Sequence, residues 1–431
     1  MATENKKYIP VLRFPEFQND GEWIPTPVGK YYKVQGGFAF RSSEFKKSGT
    51  PIIRISNIPN EGIYIDISNS VYYDRIENEV NFLISKGDLL IAMSGATTGK
   101  TAVYNQIGKA YLNQRVGLFK SINSHNYYPF ICQWVKSDYF YAQLKRTLAA
   151  GAQPNISSKD IESFIWAYPN GNNSFAEQKK IADCLSSLDK YIDAAKRKLE
   201  LLKEHKKGLM QRLFPAKGKT TPELRFPEFI GTKEWTPKQL GAIGETFGGL
   251  SGKSAEDFGT GKPFVTYKQV FNSSEIDFPE CALVQVSKNE VQNRLQYGDI
   301  LVTMSSETPD EVGYTAVVTN KNIPECYLNS FCFIYRLFDN ESIDAKFLIY
   351  LFSSDVYRTA VVRIAQGITR FNISKTKFKE IELAIPENKN EQIKIAETLS
   401  SVDKQIVEYD KKIKALELHK KGLMQQLFPK L

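Results

Sequence analysis

Histidine and cysteine are scarce: the 431-residue chain holds three histidines and five cysteines. His125, His205 and His419 stand far apart, so histidine-based catalysis or metal binding is poorly supplied. Cys132, Cys184, Cys281, Cys326 and Cys332 are odd in number and form no CxxC pair, which argues against a disulfide framework and against zinc. No stretch approaches the roughly 20 uncharged apolar residues of a membrane helix, so no membrane association is expected. The opening MATENKKYIP has no apolar core after its charges, which predicts no secretory signal and a reducing, cytoplasmic setting. Catalytic patterns are missing too. There is no GxSxG elbow, no HExxH, no nuclease-type carboxylate–lysine cluster, and no Asn/Asp-Pro-Pro-aromatic tetrad of amino-methyltransferases.

What is present reads as folded protein of two or three domains, with 42% hydrophobic, 12% aromatic and 24% charged residues. The net charge of +9, from 57 cations against 48 anions, is a mild excess that leans toward a polyanion partner.

The chain is written twice. VLRFPEF at 11–17 returns as ELRFPEF at 223–229, and Trp23 returns as Trp235. Gly36-Gly37 returns as Gly248-Gly249, and GDLLIAMS at 87–94 as GDILVTMS at 298–305. YLNQ at 111–114 returns as YLNS at 327–330, and Asn155-Ile156-Ser157 as Asn372-Ile373-Ser374. The strongest copy is residues 177–215 against 391–429, where 23 of 39 positions are identical without gaps. Each half is thus a variable part followed by a well-matched segment of about 40 residues. Duplicated modules with internal pseudo-two-fold symmetry fit this better than a solenoid.

The matched segments carry a helical seam. Ile181, Leu185, Leu188, Ile192, Ala195, Leu199, Leu202, Leu209 and Leu213 step by three and four, with Lys206 in the one missing place. The second copy runs from Ile395 to Leu427 in the same pattern, with Lys420 in the gap. Such alternation over four heptads predicts a coiled coil, here an antiparallel pair of helices holding the variable parts apart. The plainer alternative is two amphipathic helices, each packed on its own domain. Ser174 before Glu177, and Asn388 before Glu391, read as capping boxes. Gly208 and Gly422 are expected to weaken or end each helix, leaving a short LMQ-x-LF-P coda.

The variable parts read as compact α+β domains. Short β runs stand at 52–55, 89–93, 116–119, 300–304 and 331–335, with one helix-like stretch per part, near 128–148 and 344–364. SGATTGKT at 94–101 approaches a P-loop, but its first glycine is one place late and a strand-like TAVYN follows. The second copy reads SSETPDEVGYTAV, so a polar hairpin loop is the preferred reading over a nucleotide-binding enzyme. The NIS pairs match a glycosylation sequon, but a helix or turn start capped by Ser157 or Ser158 suits them better.

The features GFAFRSSEF, GDLLIAMSGATTGK, YLNQRVG, AQPNIS and EQKKIADCLSSLDK, with the repeated HKKGLMQ-x-LFP tail, resemble the specificity subunit of type I restriction–modification systems over essentially the whole chain. The resemblance implies an α+β architecture: two pseudo-symmetric target-recognition domains separated by two long antiparallel coiled-coil helices. The expected layout is a first recognition domain at 1–175, a spacer helix at 176–215, a second recognition domain at 216–389 and a second helix at 390–431. It implies a non-catalytic DNA-specificity chain that reads double-stranded DNA with a bipartite site. Two modification (methyltransferase) subunits would dock through the helices, with restriction (endonuclease/translocase) subunits beyond them. S-adenosylmethionine, ATP and magnesium would belong to those partners, and no cofactor to this chain. Arg, Asn and Gln are the side chains that read base edges bidentately. The residues expected at the DNA are Arg41, Ser94, Thr97, Lys100, Arg115, Gln153 and Asn155 in the first domain. In the second they are Lys253, Lys268, Ser305, Glu307, Thr308, Arg370 and Asn372. Glu307 is the odd one, since an acid near phosphates is costly unless it accepts from cytosine N4. A coiled-coil scaffold without DNA specificity is the competing class. If the duplication closes in a circle, the C-terminal end should lie near the segment around Leu12.

Overall fold

The computed structural model describes residues 8–60, 62–74, 76, 79–149, 154–339 and 341–430. The chain forms two compact units, residues 1–197 with 410–431, and residues 198–409. Unit 1 holds β1 (Ile24–Pro27), β2 (Tyr32–Gly36), β3 (Thr50–Ile53), β4 (Val71–Tyr73), β5 (Leu83–Ile84), β6 (Leu89–Ala92), β7 (Thr101–Val103), β8 (Ala110–Leu112) and β9 (Val116–Ser121). There follow α1 (Tyr128–Trp134), α2 (Asp138–Ala149), α3 (Ser158–Ser163), β10 (Ile165–Tyr168) and the start of the 40-residue α4 (Ser174–Leu213). Unit 2 holds β11 (Thr236–Gln239), α5 (Leu240–Ile243), β12 (Gly244–Gly248), β13 (Phe258–Val265), α6 (Tyr267–Asn272), β14 (Ala282–Val284), β15 (Ile300–Thr303), β16 (Ser305–Ser306) and β17 (Thr315–Val317). It continues with β18 (Tyr327–Leu328), β19 (Cys332–Leu337), α7 (Ala345–Leu351), α8 (Asp355–Ile364), β20 (Phe371–Asn372), α9 (Lys375–Lys379), β21 (Glu382–Ile385) and the start of α10 (Lys389–Leu427).

The two units share a topology. The sheet β2-β9-β6-β7 corresponds to β12-β19-β15-β17, and the pair β1-β10 to β11-β21. The second sheet, β4-β3-β8-β5, corresponds to β14-β13-β18, and each contains one parallel pairing, Ile52 with Tyr111 and Phe264 with Tyr327. The repeated Gly-Asp has a local cause. Gly87 and Gly298 take positive φ (101° and 82°), and Asp88 and Asp299 accept from the backbone N–H three residues earlier, both at 2.7 Å. That turn launches the buried strands β6 and β15.

The motif EQ opens both long helices and ties them down. Arg13 donates to both carboxylate oxygens of Glu177 (2.7 and 2.8 Å), and Trp23 Nε1–H donates to the same carboxylate at 3.2 Å. Arg225, Trp235 and Glu391 repeat the arrangement at 2.8, 2.8 and 3.1 Å. The neighbouring glutamines accept from the backbone N–H at the starts of the earlier helices α1 and α7, Gln178 from Tyr127 (3.0 Å) and Gln392 from Asp344 (2.8 Å). The capping-box expectation is therefore corrected. Both glutamates turn to the buried Arg–Trp pair, and Ser174 donates to Pro169 O (2.6 Å), while Asn388 alone accepts from a first-turn N–H, that of Asn390 (3.0 Å). A buried carboxylate gains more from a bidentate guanidinium than from one backbone N–H.

The long helices do not stop at their glycines. α4 runs through Gly208 to Leu213 and α10 through Gly422 to Leu427. Glycine costs about 1 kcal/mol in a helix, and burial of the following turn outweighs it. In unit 2, Phe214 meets Trp235 (6.0 Å) and Phe347 (5.7 Å), and in unit 1 Phe428 meets Trp23 (6.5 Å) and Phe130 (5.5 Å). The circular closure is present: Leu12 N–H donates to Gln426 O (3.0 Å), as Leu224 N–H does to Arg212 O (2.8 Å). Each helix-like stretch of the variable parts is two helices: the run breaks at 135–137 and 352–354, and Ser137 and Ser354 cap the next turn. Ile55 lies in a 3-10 turn rather than in β3.

Within each unit the helices pack antiparallel. In unit 1, Asp189 pairs with Lys420 (2.5 Å) and Lys196 with Glu417 (2.6 Å), so rising numbers on α4 meet falling numbers on α10. The lysines in the seam gaps are thereby explained. Lys420 and Lys136 (3.0 Å) both reach Asp189, and in unit 2 Lys206 reaches Asp403 (2.6 Å), which also accepts from Tyr350 (2.9 Å). The Asp189 cluster is buried and specifies register, since a slip there leaves a buried charge alone, whereas the Lys206–Asp403 pair is only half-buried.

Two outcomes follow. Arg13→Ala strands the buried Glu177 carboxylate and is expected to lower unit 1 stability by about 3–5 kcal/mol, read by urea unfolding. Burial alone would raise the Asp189 carboxyl, but Lys136 and Lys420 outweigh it and hold it below its ordinary 3.8. A depressed folded value stabilises above about pH 4 and ceases to as pH falls through it. Asp189→Asn is therefore expected to be clearly less stable than the parent at neutral pH, with the gap narrowing below about pH 4.

Candidate nucleic-acid interface

Three loops meet at one edge of each unit, and the sequence repeats mark all of them. In unit 1 the hairpin loop between β6 and β7 touches the segment before α3. Ser94 and Asn155 form an antiparallel bridge, and Ile156 N–H donates to Met93 O at 2.9 Å. The Thr98 hydroxyl is shared between Gly95 O (2.6 Å) and Pro154 O (2.5 Å), sewing the two loops together. The third loop arrives through Met93 N–H, which donates to Arg115 O at 2.9 Å. Unit 2 repeats the plan. Ser305 pairs with Asn372, Ile373 N–H donates to Met304 O (2.9 Å), and Met304 N–H donates to Phe331 O (2.9 Å).

The double-glycine turns join the same cluster. A Cβ on Gly37 would lie 2.0 Å from Leu112 O, and one on Gly249 2.1 Å from Asn329 O. No side chain fits there. The close approach lets Phe38 N–H donate to Leu112 O (2.8 Å) and Gln114 N–H to Phe38 O (2.9 Å). Phe38 and Phe40 then stack edge-on at 4.9 Å, and exposed Arg41 follows, 3.6 Å from Glu44.

The predicted residues fall as follows. Ser94, Thr97, Lys100, Arg115 and Asn155 belong to the joined loops of unit 1, and Arg115 and Asn155 are exposed. The hydroxyls of Ser94 and Thr97 are buried without a hydrogen-bond partner among the described residues. Lys100 turns toward the helices: its ammonium reaches Asn60 O (3.4 Å) and lines a cavity of about 260 Å³ with Asp189, Lys196 and Lys420. Gln153 lies outside the described residues. In unit 2, Ser305 and Asn372 are paired, and Glu307, Thr308 and Arg370 are exposed around them. Lys268 is exposed on α6, whose Tyr267 donates to Ser305 O at 2.6 Å. Lys253 is different. Its side chain is 8% exposed and its ammonium is held by Glu290 at 2.6 Å, so its charge is already matched.

Sequence reasoning missed Tyr267, Phe271, Glu311 and Phe331, which with Glu307 and Arg370 line a cavity of about 270 Å³. The repeat carried the signal: Phe331 stands where the first copy has Arg115. The SGATTGK loop is a hairpin leading into the strand β7 and opens no helix. Ser157 caps α3, accepting from Asp160 N–H at 3.1 Å. No group of three or more His, Cys, Asp or Glu side chains suited to a metal occurs among the described residues, and no described helix is long and apolar enough to cross a membrane.

Duplicated loop clusters on matched scaffolds are what a reader of two short sites needs. Residues 22–204 and 232–418 match the family model for the type I restriction modification DNA specificity domain. The chain belongs to that family. A relative covering nearly its whole length is the type I restriction enzyme MjaVIII specificity subunit of Methanocaldococcus jannaschii, 24% identical over 98% of this chain and 95% of that one. The EcoKI specificity subunit of Escherichia coli is 25% identical over 68% of this chain and 63% of its own. The fold is similar to that of the S subunit from M. genitalium, with a TM-score of 0.59, 16% identity, and 98% and 99% of the two chains covered. It is also similar to a chain solved in work on assembly and conformational transition of a type I R-M system, with a TM-score of 0.51, 15% identity, and 94% and 97% covered. As in the family, the two matched stretches are DNA specificity domains.

The Thr98 tie makes a prediction. Thr98→Val removes the hydrogen bond between the loops and is expected to cut amide-exchange protection at Ile156 by roughly fivefold, about 1 kcal/mol, leaving β2 and β9 protected.

Proposed function

We propose that this chain is the non-catalytic sequence-specificity subunit of a type I restriction–modification complex. Each unit's loop cluster reads one half of a bipartite site in double-stranded DNA. The carrying observation is that the same loop cluster is built twice, each time on a domain anchored to one end of both long helices. Arg115, Asn155, Arg370 and Asn372 are exposed donors and acceptors of the type that read base edges, while Arg41 and Lys268 suit phosphates. The charged outer faces of α4 and α10 serve as docking faces for two modification subunits, with restriction subunits joining that assembly. S-adenosylmethionine, ATP and magnesium act on those partners in the cytoplasm, and this chain supplies the address.

The test is genome-wide adenine methylation with and without the gene, in cells that express the modification partner. Loss of one split motif, two short halves around a fixed gap, is expected. Replacing residues 1–175 by another such domain should then change one half only. Arg115→Ala should weaken that same half, by about 1–3 kcal/mol; uniform loss on every DNA would instead mark a phosphate contact. An unchanged methylome would leave the scaffold reading in front.

A further inference from the structure

The two loop clusters share a backbone plan but differ in chemistry, and the difference points to a ligand. In the second domain α6 places Tyr267 and Phe271 on one face, their rings stacked at 6.1 Å. They form one wall of the 270 Å³ cavity; Phe331 and Arg370 belong to its lining too, and Glu307 and Glu311 bring carboxylates to it. The cavity is built rather than incidental. The Tyr267 hydroxyl is fixed to Ser305 O, and Ser306 donates to Glu311 Oε2 at 3.2 Å. Arg370 sits on a closed hairpin in which Gln366 and Asn372 exchange both backbone hydrogen bonds (3.0 and 2.8 Å). Gly367, at φ 147°, allows that hairpin; a Cβ there would lie 1.9 Å from Arg370 O. The Arg370 guanidinium lies over the Phe331 ring at 5.9 Å. A stacked guanidinium keeps its in-plane donors available.

The first domain has none of this set at matching positions. Arg54 N–H to Asn57 Oδ1 and Thr266 N–H to Gln269 Oε1, both 2.9 Å, align the two turns, so Ile55 stands where Tyr267 does. The following loop carries Lys100 and no acid, against Glu307, Asp310 and Glu311 in the second.

Carboxylates repel phosphates, so a DNA-reading surface keeps them only where they meet a donor. The donor that a base edge offers a carboxylate in the major groove is the exocyclic amine, with cytosine N4 the matched partner, and arginine matches O6 and N7 of guanine. Arg370 beside Glu307 therefore favours a G·C pair over an adenine. We infer that this aromatic-walled cavity is the second domain's base-reading site for a G·C pair, with cytosine N4 donating to Glu307 or Glu311 and Arg370 taking the guanine. This rests on the proposed function and gives one half-site part of its content.

The experiment uses the full chain complexed with its modification partner. Competition binding is run on duplexes carrying every single base-pair replacement in the half-site assigned to residues 216–389. Glu307→Gln is expected to reduce discrimination at one G·C position by roughly 5- to 150-fold. It should also raise affinity for unrelated DNA, because a charge repelling phosphate is gone. Arg370→Ala should relax the same base pair. Glu307 is exposed, so Glu307→Gln decides the matter even if Glu311→Gln unsettles the loop through Ser306. A half-site without a G·C pair, or an unchanged ranking at every position in both variants, overturns the inference. If the split motif still depends on the chain in that case, the specificity reading stands and only this site falls. If the motif never depended on the chain, the broader reading has failed.

Discussion

The bidentate contact between Arg13 and Glu177, repeated by Arg225 and Glu391, is the interaction on which the rest depends. Each carboxylate sits on the first turn of a 40-residue-class helix and is almost wholly buried. Without its arginine it would be an unpaired charge in a core of tryptophan and phenylalanine. The arginine belongs to the LRFPEF segment, whose leucine N–H also pairs with the far end of the other long helix. One ion pair thus joins the beginning of one helix, the end of the other and the entry into the domain between them. Tryptophan closes the site from the inside, its N–H on the same carboxylate.

With the frame held so tightly, the loops at the domain edge are free to diverge. The backbone bonds between the joined loops recur at the same distances in both units, although few side chains match. Gly37 and Gly249 keep the double-glycine turn against the YLN strand because any side chain would collide with a carbonyl. Around that constant backbone, Ile55 becomes Tyr267, Arg115 becomes Phe331 and a lysine-bearing loop becomes an acidic one. A recognition chain needs this division. Base identity is read by side chains, while their reach and angle are set by backbone.

The repeat made much of the architecture legible. Seam periodicity located both helices, and the lysines interrupting it are the residues that pair with Asp189 and Asp403. Loop landmarks such as Ser94, Asn155, Ser305 and Asn372 prove to be direct neighbours. The failures have local causes. Ser174 and Glu177 match a capping box by spacing, but spacing is blind to a guanidinium arriving from 164 residues earlier. Gly208 and Gly422 read as helix ends because propensity is local, whereas the burial of Phe214 and Phe428 that carries the helices onward is not. Lys253 reads as a free cation because Glu290, its partner, is 37 residues away.

Sequence alone settled what depends on order and periodicity: the duplication, the two helices, the mixed domains and the membership of a DNA-specificity family. The folded chain settled what depends on distant residues meeting. These are the Arg–Glu–Trp anchor, the ion pairs that set helix register, and the cavity assembled from Tyr267, Glu307, Phe331 and Arg370. Periodicity is written into neighbouring positions, but a charge's partner or a pocket's opposite wall is chosen by packing, which no local pattern records.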